Sequence, residues 1–246
     1  MLRVGMRVAG LLGLFLACLA PHLLSKWIFG RSPWPRRFLA AAAWIVGARP
    51  QVSGEPLRPH SLLIANHVSW LDILVLGGAT GCAFVSKDQL GHPLVHWMAD
   101  QNSTLYIRRS RRSTSADQAS AIATALERPQ PFALFPEGTT GHGNHLLPFR
   151  SALLEAVAPA PPRVEVRPVA IDYGPASREI GWHGESGKDN VLRVLGRKGS
   201  LPVMVHVLAP LERSEDRKLL ARRAQERIAA TLAPSLPASS SARTGL

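Results

Sequence analysis

The chain has 246 residues, 46% of them hydrophobic, a net charge of +12 and a pI near 11.1. That length supports one sizeable α/β domain with an appended segment, and the apolar content excludes a disordered chain. The basic balance calls for an anionic partner: nucleic acid, anionic lipid or a phosphorylated substrate. The two cysteines, Cys18 and Cys82, sit in apolar runs without metal-type spacing, which argues against a disulfide scaffold and for a reducing compartment.

Residues 1–48 differ from the rest. Arg3 and Arg7 lead into the apolar run Val8–Ala20, which Pro21 and His22 interrupt; a second run, Phe38–Ala48, follows Arg31, Arg36 and Arg37. A signal peptide fits the basic start, but Pro21 directly after Ala20 is a poor cleavage context. A spanning helix needs about 20 apolar residues, which the first run reaches only by including Pro21 and His22. Positive charge on both flanks favours the cytoplasmic side at both ends. Two helices dipping into one leaflet satisfy both flanks, so membrane insertion or in-plane association is expected, with Trp27, Trp34 and Trp44 at the interface. Ordinary core helices are the plainer alternative, disfavoured because the first run is apolar nearly all round.

Pro50 to Pro59 is turn-rich, with a short strand at Gln51–Ser53. Strands are expected at Leu62–Ala65, Cys82–Ser86, Thr104–Ile107, Phe132–Phe135, Val164–Ile171 and Val203–Leu208. Helices are expected at Trp70–Leu76, Pro93–Ala99, Ser115–Glu127, Ser151–Ala158 and, basic and amphipathic, Glu212–Leu232. The alternation predicts an α/β fold: a mainly parallel sheet flanked by helices, with an N-terminal membrane-associated helical segment. The organisation is that segment at 1–48, the main domain at 49–232, and a Ser/Ala/Pro-rich disordered tail at 233–246.

In such sheets ligands bind beyond the carboxyl ends of the strands, and three chemically suggestive stretches lie there. The first is Asn66-His67-Val68-Ser69-Trp70-Leu71-Asp72. If the chain turns into a helix after His67, Asp72 can hold one ring nitrogen and leave the other free to take a proton. That pair is a base with its orienter and no nucleophilic side chain, suited to a reaction whose nucleophile arrives with the substrate. The second is the arginine cluster Arg108, Arg109, Arg111 and Arg112 after Tyr106-Ile107; the third is Pro136-Glu137-Gly138-Thr139. Each alone reads as a structural histidine, a solvated basic rim and a glycine turn. No serine stands in a nucleophile-elbow sequence. His142, His145 and His183 lack a completing carboxylate or cysteine and read as loop residues, so no metal is expected.

The ordered series decides between these readings. Asn-His-x4-Asp, then Tyr-Ile-Arg-Arg, then Phe-Pro-Glu-Gly-Thr, then Arg167-Pro168-Val169-Ala170 resembles the glycerolipid acyltransferases, which include 1-acylglycerol-3-phosphate acyltransferase, over roughly residues 60–175. The resemblance implies transfer of a fatty acyl group from acyl-CoA or acyl carrier protein, with no cofactor, to the free hydroxyl of 1-acyl-sn-glycerol-3-phosphate. It also implies residues 49–232 as the catalytic domain, on the cytoplasmic face of the inner membrane, with membrane lipids and a lysolipid as partners. His67 matches the general base and Asp72 its orienter; Arg109, with Arg108 beside it, matches the arginine that binds the acceptor phosphate. Glu137, Gly138 and Thr139 match the acceptor-contacting block, and Pro168 the block ascribed to the acyl donor. Arg108, Thr140 and Arg150-Ser151-Ala152 depart from the usual pattern on the head-group side. A Glu-Gly-Thr-Thr loop also resembles members that acylate other lysolipids, including lyso-ornithine lipid. A non-catalytic lipid binder is opposed by the intact His67 and Asp72. A nucleic-acid binder is opposed by scattered basic residues without interleaved aromatics.

Overall fold

The computed structural model describes residues 1–87, 92–107, 123–155 and 158–235. Within these, seven strands form one sheet: β1 (Ala48–Gly54), β2 (Ser61–Ala65), β3 (Ala83–Lys87), β4 (Leu105–Ile107), β5 (Phe132–Leu134), β6 (Glu165–Asp172) and β7 (Leu201–Val207), in the order β1-β7-β6-β2-β5-β3-β4. Strands β6, β2, β5, β3 and β4 run parallel, while β7 is antiparallel to β6 and carries β1 parallel to itself. The sheet is therefore mainly parallel and flanked by helices, as expected. All five residues of β2 are buried, which is why its sequence is a continuous run without alternation: both faces are covered.

The helices are α1 (Leu2–Phe29), α2 (Trp34–Val46), α3 (Leu71–Thr80), α4 (Pro93–Gln101), α5 (Ser177–Ile180), α6 (Gly187–Gly196) and α7 (Arg217–Leu232). Leu220, Ala224 and Ile228 of α7 close one face of the sheet over Leu62, Ile64, Phe132 and Val166. Ala43 and Val46 of α2, Val75 and Leu76 of α3, and Val194 and Leu195 of α6 close the other over Leu63, Ala133, Val169 and Val205. Helices α2 and α3 approach closely because Gly78 has no side chain; a Cβ there would come within 2.6 Å of the Ala40 Cα.

Several expected boundaries change. Pro21 and His22 do not interrupt the first run: α1 passes through both, 28 residues long and about 42 Å by the usual rise. A single proline removes one backbone hydrogen bond, and the flanking apolar packing carries the helix past it. This helix is long and apolar enough to cross a membrane. It is not featureless around its circumference, however. Val4, Arg7, Leu11, Phe15, Cys18 and His22 form one stripe that packs on the domain, and the opposite face, Leu2, Met6, Leu12, Leu16, Leu23 and Trp27, is exposed. Of the expected helix over Ser151–Ala158, the described residues form a 3-10 turn, Ser151–Leu154, and residues 156–157 lie outside them. Helix α7 starts at Arg217, not Glu212, because the Asp216 side chain caps it, accepting from Lys218 N at 2.7 Å. Of the expected helix Ser115–Glu127, residues up to 122 lie outside the described residues, as do tail residues 236–246. Helix α6 has no counterpart in the sequence reading; its polar face and short apolar set, Val194 and Leu195, gave no clear period.

Candidate active site

The carboxyl ends of β2, β5 and β6 lie side by side, and each contributes a group. Where β2 stops at Ala65, the buried Asn66 side chain extends the pairing: its Oδ1 accepts from Ile171 N at 2.7 Å and its Nδ2 donates to Ile171 O at 3.0 Å. The next residue, His67, is held at both backbone groups by the loop after β5. Its N–H donates to Glu137 Oε1 at 2.6 Å, and its carbonyl accepts from Gly141 N at 3.1 Å. The imidazole stacks on Phe135, centroids 4.2 Å apart and planes 15° from parallel.

Asp72 stands in the first turn of α3 and is fully buried. Its Oδ2 accepts from His67 Nδ1 at 2.8 Å, Val68 N at 2.7 Å and Ser69 N at 2.9 Å. Its Oδ1 accepts from the Tyr173 hydroxyl at 2.6 Å. The turn needed to join His67 to Asp72 therefore forms, and the carboxylate itself organises it. A neutral imidazole facing this acceptor carries its proton on Nδ1. Among the described residues Nε2 has no hydrogen-bond partner, and the His67 side chain keeps 17% exposure. An unprotonated ring nitrogen, on a partly exposed ring fixed by stacking and by an ionic partner, can accept a proton from a substrate hydroxyl.

Glu137 is brought to the same place but faces away from the opening. Its Oε1 takes the His67 N–H, its Oε2 takes Leu147 N at 3.2 Å, and the residue is 3% exposed. Burial outweighs these two donors and pushes its carboxyl up to about 8, with the field of Asp72 adding to the rise. Gly138 has a φ of 72°, the left-handed turn that lets the chain reverse after Glu137. Thr139 is exposed beside it. Pro168 is buried inside β6, opposite Ile64, where its carbonyl accepts from Leu208 N at 3.0 Å. Its missing N–H falls just before the β6–β7 pairing begins at Val169. Arg108 and Arg109, with Arg111 and Arg112, lie outside the described residues; β4 ends at Ile107. His142 and His183 stack at 5.8 Å on the exposed surface.

The sequence reading missed Tyr173. It is 3% exposed, and its hydroxyl pKa is raised well above the usual value by burial, then by the charge of Asp72 and the hydrogen bond to it. The one signal for it is position: it follows the last residue of β6, on the edge where His67 and Glu137 also emerge.

The sequence pattern of the family described as Acyltransferase matches residues 49–172. The chain is 34% identical to the lyso-ornithine lipid O-acyltransferase of Rhizobium meliloti, over 79% of this chain and 73% of that one. It is 36% identical to the lyso-ornithine lipid O-acyltransferase of Pseudomonas aeruginosa, over 83% of this chain and 76% of that one. The fold resembles the crystal structure of the 1-acyl-sn-glycerophosphate acyltransferase of Thermotoga maritima, with a TM-score of 0.61 at 19% identity, covering 81% of this chain and 77% of that one. This chain belongs to the acyltransferase family and is an acyltransferase of lipid metabolism.

Proposed function

We propose that this acyltransferase transfers a fatty acyl group from a thioester donor, acyl-CoA or acyl carrier protein, to the free hydroxyl of a lyso-ornithine lipid. The observation that carries the reading is the match to relatives of that name over about four fifths of the chain, at 34% and 36% identity. The strand-end geometry supplies the chemistry. His67 Nε2 accepts the hydroxyl proton as the oxygen attacks the thioester carbonyl. Asp72 fixes the tautomer through Nδ1 and stabilises the imidazolium. A carbon–oxygen bond forms, the carbon–sulfur bond breaks, and the departing thiolate takes the proton back from imidazolium. Base and orienter suffice for this sequence, so no side chain needs to carry the acyl group. Glu137 holds the backbone of His67, while the Gly138–Thr139 turn, with Thr139 exposed, faces the acceptor.

The same proposal places the enzyme at a membrane, where the lysolipid acceptor resides, with residues 49–232 as the catalytic domain on the cytoplasmic face. The outer face of α1 is apolar along its length, Trp27 is 84% and Trp44 62% exposed, and Leu94, Val95 and Trp97 of α4 extend that surface. Phe15 of α1 packs edge-on against Trp97 at 6.2 Å, which makes α1 and α4 one face. Both ends of α1 are tied to the domain: Arg7 donates to Leu195 O at 2.9 Å, and His22 and Lys26 meet Gln101 at 3.1 and 2.9 Å. A helix held flat on its own domain, with Arg31, Arg36 and Arg37 in the following turn and helix, suits in-plane insertion into an anionic leaflet.

A second reading is acylation of 1-acyl-sn-glycerol-3-phosphate to phosphatidic acid, as in a 1-acylglycerol-3-phosphate O-acyltransferase. The run Arg108-Arg109-Ser110-Arg111-Arg112 favours it, since guanidinium groups suit a phosphate. A direct comparison of purified enzyme on both lysolipids, with each donor, separates the two. The primary reading expects faster turnover of lyso-ornithine lipid. Faster turnover of lysophosphatidate, with Arg109→Ala lowering that acceptor's kcat/KM by tens-fold and sparing the zwitterion, replaces it with the second.

A further inference from the structure

We infer that Tyr173 is a positioning residue of the acyl transfer, acting through Asp72 as the fourth donor that completes the carboxylate. The inference rests on the His67–Asp72 reading above and extends it to a residue outside the four motif blocks.

Asp72 is fully buried, so every lone pair that lacks a donor weakens its charged form. Three donors converge on Oδ2: the imidazole, Val68 N and Ser69 N. Oδ1 has one, the Tyr173 hydroxyl at 2.6 Å. All the Oδ2 donors come from the turn between β2 and α3. Tyr173 comes from the end of the neighbouring strand β6, 101 positions along the chain, and so pins the carboxylate plane against rotation about its own helix. Without it, the buried Oδ1 has no donor among the described residues, and the carboxylate can twist to share Oδ2 donors. The direction of the Nδ1 bond that aims Nε2 is then no longer fixed. The hydroxyl is itself buried, with its pKa driven upward, so it remains a donor throughout the working pH range.

The ionisable groups facing Asp72 are His67, Tyr173 and, through its field alone, Glu137. A carboxylate with one donor fewer grips the proton of its imidazole partner more tightly. Tyr173→Phe keeps the ring and its packing and removes only the donor. In that variant kcat is expected to fall about ten-fold, the low end for a hydrogen bond to a charged group, with KM unchanged within two-fold. The acid limb of its kcat/KM profile is expected to move to higher pH. In an Asp72→Asn background the same change should have little further effect, since the two act as a unit.

His67→Ala serves as the control for the underlying reading: if it retains near-normal turnover, the dyad itself fails. If His67→Ala is inactive while Tyr173→Phe matches wild type in kcat and pH profile, the dyad stands and the inference about Tyr173 is overturned. An effect of Tyr173→Phe that multiplies in full with that of Asp72→Asn also overturns it. Fluorometric melts of each variant fix the folded fraction to which kcat is referred.

Discussion

The strand-end site and the N-terminal helical layer use polar contacts in opposite ways. At the site they are dense: Asp72 accepts from four donors, and His67 is held by ring, N–H and carbonyl. Along α1 they sit at the two ends, Arg7 near one and His22 and Lys26 near the other, with apolar packing between and an apolar face outward. Dense polar contacts buried from water fix one geometry, as proton transfer requires. Sparse anchors under an apolar stripe fix only which side of the helix faces the domain. If this division is right, changes at the site should cost turnover and leave membrane binding alone, and changes on the outer face of α1 should do the reverse.

The largest separation is expected from His67→Ala. Removing a general base typically costs about 10²–10⁴-fold, so turnover should fall by that much while vesicle binding and melting temperature stay close to wild type. Asp72→Asn is expected to cost less, about 10–10²-fold: the amide oxygen still accepts from Nδ1 but stabilises imidazolium poorly. Both are read by steady-state assay on the same lysolipid. Release of His67→Ala from vesicles would show that the two regions are not independent.

On the other side, Leu12→Ser with Leu16→Ser alters two positions on the exposed face of α1. Full burial of one leucine stabilises by roughly 1.5–3 kcal/mol, so partition onto anionic vesicles should weaken at least ten-fold in a sedimentation assay. Turnover of detergent-dispersed substrate should be unchanged. Deleting residues 1–48 is a poorer test, because Ala42, Ala43 and Val46 of α2 belong to the buried core. The inner side of the helical layer is thus continuous with the core, and its outer side is an exposed apolar face.

What was legible follows the same division. Runs such as Leu62–Ala65 and Phe132–Leu134 announce themselves because a doubly covered sheet demands unbroken apolar strands. The His67–Asp72 meeting was legible because both partners lie within one turn of chain. Contacts that cross the sheet edge leave no local trace, so Tyr173 on Asp72 and Glu137 on the backbone of His67 were invisible as such. The antiparallel direction of β7 was hidden for a related reason, since an apolar pattern does not say which way a strand runs. Pro21 misled because a proline signals a break only where the packing around it cannot make up for one lost hydrogen bond.

The smallest expected effect on turnover falls on Glu137, and it sharpens the picture of the site as a clamp on backbone. Burial raises its carboxyl from the ordinary 4.5 to about 8. The folded state therefore holds this proton at pH values where the unfolded chain has lost it. Its contribution is present in full below pH 4.5 and is lost as pH rises through about 8, at a slope approaching about 1.4 kcal/mol per pH unit between those limits. Glu137→Gln keeps an uncharged acceptor for one of the two N–H groups and cannot titrate. Its melting temperature should accordingly fall less than that of wild type between pH 5 and pH 8, by roughly ten degrees for a chain of this size. Turnover at pH 7 should stay within a few-fold, because the carboxyl touches the His67 backbone and not its ring. Identical pH slopes of melting in the two proteins would break this account of Glu137. A loss of turnover as large as that of His67→Ala would move Glu137 from holding the base to contacting the substrate.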